Sequence, residues 1–177
     1  MKSNIFLLFF TIITMVSCTS KIDFTPVVVA PISKASDLLI SEVSTGINTD
    51  PLASGLRSHY VEIYNGTGSA VDLANYKLKV YTNATGNPTC NLALSGILAN
   101  DDVVVVKLSS SANQGGVVPD LTFTTCAGVN NNDNIVLTTS TDVDLDNWGV
   151  NQVVFTPAGG VGYNYRRLST SVLPTMT

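Results

Sequence analysis

The chain has 177 residues, a formal net charge of −4 and only 12% charged residues. That balance excludes a basic face that would hold nucleic acid through its phosphates, so no nucleic-acid partner is expected. A single histidine, a single tryptophan and three cysteines leave too few side chains for most metal or nucleophile sets, so no metal, cofactor or catalytic residue is expected.

Residues 1–17 open with Lys2 and the apolar run "NIFLLFFTIITMV". The run has signal-peptide length and falls short of the roughly 20 residues that a membrane span needs. It ends in "MVSC", where small Ser17 precedes Cys18. This resembles a bacterial lipobox, with Met15 where leucine is usual, and predicts a lipoprotein signal peptide and a lipidated Cys18. The alternative is an ordinary signal peptide with an incidental cysteine. Each buried methylene contributes about 0.8 kcal/mol, and one acyl chain anchors only reversibly. The two or three chains of a bacterial lipoprotein would hold the protein at a membrane outside the cytoplasm, on the cell surface or the periplasmic leaflet. Residues 18–36 mix Pro, Ser, Lys and Thr without a period and read as that cysteine plus a tether. Within them "FTPVVVAP" is apolar enough to dock as an extra edge strand.

Residues 37–177 are enough for one core and not for two. Val, Thr, Leu, Asn, Gly and Ser dominate there, a mixture that favours strands and turns. The predicted strands are "DLLISEV" (37–43), "HYVEIYN" (59–65), "YKLKVYT" (76–82), "CNLALSG" (90–96), "DVVVVKLS" (102–109), "LTFTTC" (121–126), "DNIVLTTS" (133–140) and "QVVFT" (152–156). A last extended piece runs through "GYNYRRLS". Gly, Asn, Pro and Ser punctuate them, and no segment keeps a helical period. "VVVVKL" is apolar on both faces and belongs mid-sheet, whereas "YKLKV" should keep one face in water. The expected fold is all-β, an immunoglobulin-like antiparallel β-sandwich of two sheets.

In "YVEIYNGTGSAVDLANYKL" (60–78), Val61 and Ile63 share one face, and Tyr60, Glu62 and Tyr64 share the other. Asn65 stands where the strand must end; its side chain can bond the backbone two residues on and tolerates a left-handed conformation. Gly66 and Gly68 permit the turn, and Val71 and Leu73 return to the core as a short strand.

"LLISEV", the 60–78 stretch, "LSGILANDDVVVV" and "NNNDNIVL" follow in order the pattern of the lamin tail domain. The chain resembles that family over residues 37–168, through Ile40, Glu42, Glu62, Asn65, Leu73, Tyr76, Leu78, Asp133 and Leu137. Glu42, Glu62, Asn65 and Asp133 are its candidate structural motif. It departs from the pattern in the insertion "STGINTDPLASGLRSH", in Tyr76 where tryptophan is usual, and in stopping at "YRRLSTSVLPTMT", which suggests a truncated C-terminus. The resemblance implies a non-catalytic scaffold or binding module with an unknown protein or polysaccharide ligand. The alternatives are an N-terminal accessory domain of a larger secreted nuclease or other hydrolase, or a carbohydrate-binding module.

Other constellations read as structure. Asp142, Asp144 and Asp146 alternate as calcium ligands do, but Asn147 and Val153 occupy the positions that call for Gly and Glu, so a strand with an acidic outer face is expected. His59 reads as a surface histidine near a strand start, and Asp101 and Asp102 as a turn. Tyr60 and Tyr64 form a candidate aromatic binding face. "NGT" (65–67) and "NAT" (83–85) match the glycosylation pattern by coincidence in an Asn- and Thr-rich chain. Cys90 and Cys126 are either a disulfide across neighbouring antiparallel strand ends, which is the expectation, or two buried thiols.

Overall fold

Alternation fixes the central strands: in "YVEIY" every second side chain is apolar, and Val61 and Ile63 are turned wholly inward. The structure, a computed structural model, describes residues 35–47, 57–84, 86–108, 117–126, 128–130, 132–149 and 164–167. They lie in a compact unit spanning Ser33–Thr177. The strands are β1 (Leu39–Ile47), β2 (Arg57–Tyr64), β3 (Val71–Asp72), β4 (Tyr76–Tyr81), β5 (Cys90–Ala93), β6 (Ile97–Leu98), β7 (Val103–Lys107), β8 (Leu121–Thr122), β9 (Asn134–Thr139), β10 (Asp144–Trp148) and β11 (Asn164–Arg166). Single 3-10 turns occupy Leu73–Asn75 and Thr82–Ala84, and there is no α-helix among the described residues.

A five-stranded sheet runs β11-β1-β2-β7-β8, a four-stranded sheet runs β10-β9-β4-β5, and β3 pairs with β6 as a ribbon. The pairings are antiparallel except β7 with β8, which is parallel. This is the immunoglobulin-like sandwich expected, with one parallel edge that alternation could not show. Val43, Val61, Ile63, Val104 and Val106 from one sheet pack with Leu78, Val80, Leu92, Ile135 and Leu137 from the other. Each such side chain contributes about 1.5–3 kcal/mol by leaving water. Trp148 closes the core at the β10 edge and packs on Tyr165 of β11, with ring centroids 5.1 Å apart.

On β4 the lysines alternate outward, as "YKLKV" requires. Lys77 and Lys79 reach Asp142 at 3.1 and 3.2 Å. Asp142 sits between β9 and β10 with φ 67°, and hydrogen bonds from Lys77 and then Lys79 hold its carboxyl below the usual carboxylate range. Ahead of β1, the Ala35 N–H donates to the Gly66 carbonyl at 3.0 Å. Asp37 then accepts from Tyr76 Oη at 2.9 Å. Burial first, and that bond second, push the Tyr76 phenol up to about 12.

Between the sheets lies a buried charge. β1 carries an irregularity between Ile40 and Glu42, and β10 carries one between Asp144 and Asp146. Asp146 is 0% exposed, and its Oδ2 accepts the Ile40 N–H at 2.8 Å and a bond from Arg167 Nη2. Arg167 Nε donates to the Ile40 carbonyl, and the Arg167 N–H donates to the Ser41 carbonyl, both at 2.8 Å. The backbone groups that the bulge releases are thus taken up by one carboxylate and one guanidinium. This corrects the acidic outer face expected at 142–146: Asp142 and Asp144 are exposed, but the bulge turns Asp146 inward.

Breaking a buried pair leaves one charge uncompensated, at a cost of about 3–5 kcal/mol. Asp146→Ala is therefore expected to lower unfolding stability by that amount in urea titration. In a double-mutant cycle with Arg167→Ala, the second substitution should cost much less than it does alone.

Candidate functional site

β2 ends in a turn organised by one side chain. Asn65 is 0% exposed, and its Nδ2 donates to the carbonyls of Ser69 at 2.8 Å, Leu98 at 3.0 Å and Ala99 at 3.0 Å. Its Oδ1 accepts from Thr67 N–H at 3.1 Å and from Thr67 Oγ1 at 2.8 Å. Its backbone N–H donates to Asp102 O and its carbonyl accepts from Asp101 N–H. The bond to Thr67 N–H is the one two residues on that the sequence predicts; the left-handed conformation that Asn65 would tolerate falls instead on Gly68 (φ 92°) and on Asp101 (φ 61°). Gly66 is needed for space, since a Cβ there would lie 2.6 Å from the Tyr64 ring.

Asn65 therefore fixes the end of β6 against the start of β7, and between those strands a cleft of ≈ 240 Å³ opens. Leu73, Ile97, Leu98, Val104 and Leu121 supply its apolar lining, and Asp102 and Asp120 its carboxylates. Ile97 is 70% exposed, which marks a mouth open to solvent. Asp120 Oδ2 accepts the Val105 N–H at 2.8 Å, and Asp102 Oδ1 accepts the Val103 N–H at 2.9 Å.

The aromatic face expected at Tyr60 and Tyr64 does not form. Tyr60 is 6% exposed, and half-buried Tyr64 donates through Oη to Asp101 Oδ1 at 2.8 Å, a bond that raises its phenol pKa. His59 is not on the surface either. It shares the inward parity of Val61 and Ile63, is 4% exposed, and accepts the Val129 N–H through Nδ1 at 3.2 Å. Gly128 lies flat on that ring, where a Cβ would come within 1.8 Å of Nδ1.

The remaining motif residues occupy separate places. Glu42 pairs with exposed Arg166 at 2.6 Å, a geometry that contributes little in water. Glu62 Oε1 accepts from Ser41 Oγ at 2.7 Å beside the β1 bulge. Asp133 is buried and accepts the Asn83 N–H at 2.7 Å and the Asn130 N–H at 2.8 Å, tying left-handed Asn83 to the loop before β9. The alternation of Asp142, Asp144 and Asp146 pointed to the wrong face for Asp146 because of the bulge, and Ile97, in a two-residue strand, had no period to read.

Cys90 and Cys126 form a disulfide with Cα atoms 5.8 Å apart. The strands beside them are not the antiparallel neighbours expected. Cys90 starts β5, the edge of the four-stranded sheet, and Cys126 follows β8, the edge of the five-stranded one. The bridge therefore joins the two sheets at their edges. It spans a sequence separation of 36; closing a loop of that size in the unfolded chain stabilises by about 3–4 kcal/mol in the chain-entropy model. Non-reducing mass analysis should find no free thiol at these positions, and reduction should lower the urea midpoint accordingly. Cys18 and the strand expected at 152–156 lie outside the described residues.

Asn65→Ala leaves the carbonyls of Leu98, Ala99 and Ser69 short of a donor. A loss of about 2–3 kcal/mol in urea unfolding is expected. Asn65→Asp should lose more at neutral pH, where a carboxylate would face the carbonyl oxygens.

Residues 31–152 match the family model described as Lamin Tail Domain. No curated protein matches the chain. The match stops before β11, although β11 completes the sheet beside β1.

Proposed function

The chain belongs to the lamin tail domain family, and from that premise we propose that it is a non-catalytic binding or scaffold module held outside the cytoplasm by a lipid on Cys18. The observation that carries the non-catalytic reading is where the buried polar side chains point. Asn65, Asp133, Asp146 and His59 each hold backbone groups of a neighbouring loop or strand. A general base needs reach to a nucleophile and to the reacting atom. The single histidine of the chain instead accepts a backbone N–H beneath Gly128. The cleft beside β7 is then a surface for a ligand. The anchoring rests on the apolar run that ends in "MVSC".

Mass spectrometry of the membrane fraction should find acyl chains on Cys18, and Cys18→Ser should move the protein to the soluble fraction. An unmodified soluble chain in its native host would overturn the anchor. Turnover of nucleic acid or polysaccharide by the purified chain, abolished by His59→Ala in a variant that still folds, would overturn the non-catalytic reading.

A further inference from the structure

We propose that a second copy of this chain adds to the β5 edge of the four-stranded sheet, strand antiparallel to strand, and closes a two-fold dimer. The inference goes beyond the binding-module reading and does not depend on it. Three features of β5 carry it: free backbone groups, their spacing, and a neutral edge.

β5 is the last strand of its sheet, and its one ladder is with β4. The Leu94 N–H donates to Tyr76 O at 3.1 Å, which continues the Leu78–Leu92 and Val80–Cys90 pairs. Cys90, Leu92 and Leu94 therefore turn their backbone groups toward β4, and Asn91 and Ala93 turn theirs to the open side. Asn91 and Ala93 are exposed, and their N–H and carbonyl groups meet no partner among the described residues. Other edges are guarded. Asp102 and Asp120 hold the outward N–H groups of β7, β10 carries Asp144, and β11 carries Arg166. The β5 stretch "CNLALSG" (90–96) has neither charge nor proline, so nothing there blunts pairing.

The spacing fits an identical strand. With Leu92 opposite Leu92 of the second copy, each Asn91 faces the other chain's Ala93. Each such pair exchanges two hydrogen bonds, so every free group at the edge is satisfied on both copies. The two-fold uses the edge of each chain once, so the assembly closes at two and does not extend. On the outer face the side chains that meet are Asn91 and Ala93, small and neutral. Lys77 and Lys79 share that face, opposite Ala93 and Asn91 on β4. Both reach Asp142, between β9 and β10 and so on the side away from β5. They neither repel a second copy at this edge nor select an acidic strand, which favours the copy over a charged peptide. So short an edge makes an interface of the small, transient class.

The test is amide hydrogen exchange on the full chain over a range of concentrations, with detergent micelles in excess, alongside sedimentation velocity. In dilute solution the amides of Asn91 and Ala93 should exchange faster than those of Cys90 and Leu92, which β4 holds. As concentration rises, sedimentation should move to two chains, and exchange at Asn91 and Ala93 should slow roughly tenfold. Ala93→Pro removes an N–H that no described acceptor uses, and should abolish association. Ala93→Val keeps that N–H and should associate as the parent does. Where the proline variant melts early, Ala93→Lys serves instead: it keeps the N–H, charges the edge and should weaken association. A single chain at every concentration, or protection of Asn91 and Ala93 already present in dilute solution, would overturn the proposal. Association that leaves these two amides fast, or that survives Ala93→Pro or Ala93→Lys in a folded variant, would overturn it as well.

Discussion

The Asp146 carboxylate is the interaction on which the arrangement of the two sheets depends. It projects from β10 of one sheet and meets the backbone of β1 in the other, at the bulge where the β1 ladder is interrupted. An interior peptide N–H without a partner is costly, so the bulge and the acid imply each other. Arg167 then neutralises the acid and takes the Ile40 and Ser41 carbonyls, which fixes the residues following β11 against β1. Three strands from opposite ends of the sequence are located by one group of charges. Apolar packing alone would tolerate a sliding of the sheets that these directional bonds forbid.

The same device recurs at smaller scale. Asn65 holds the β2 end with the opposite polarity to Asp146: its amide donates to the carbonyls of Ser69, Leu98 and Ala99, where Asp146 accepts an N–H from β1. Asp133 works as Asp146 does, accepting N–H groups from the Thr82–Ala84 turn and from Asn130. With so few charged residues, the domain holds its irregular backbone through buried amides and carboxylates in its loops. The Cys90–Cys126 bridge works differently, since it fastens the open edges of the two sheets where no ladder can join them.

How much of this was legible depended on periodicity. "YVEIY" and "NIVL" alternate or run apolar long enough to give strand, face and burial, and Asn65 before Gly66 marks a turn by its chemistry. The resemblance to the family ordered those pieces. Legibility failed where register shifts. In "DVDLDNW" strict alternation puts Asp144 and Asp146 on one face, but the bulge between them sends Asp146 to the core. His59 was legible in principle: β2 begins at Arg57, so residue 59 has the parity of Val61 and Ile63 and must face inward. Placing the strand start at residue 59 hid that. The cleft had no signal, because it is made by residues from Leu73 to Leu121 that only the topology brings together.

The β7 edge, which β8 covers only in part, is closed by side chains. An edge strand with bare N–H groups invites indiscriminate pairing between copies, and proteins commonly blunt such edges with charge. Here Asp102 and Asp120 do so by occupying the N–H groups of Val103 and Val105. Both carboxylates are exposed, so they cap these N–H groups without being buried themselves. The Asp120 N–H also donates to the Val105 carbonyl at 2.9 Å, so one residue holds both outward backbone groups of Val105. The turn at Asn65 also fixes the start of β7, because the Asn65 N–H bonds Asp102 O and its side chain bonds the Leu98 carbonyl, which keeps these carboxylates in register with the edge they cover.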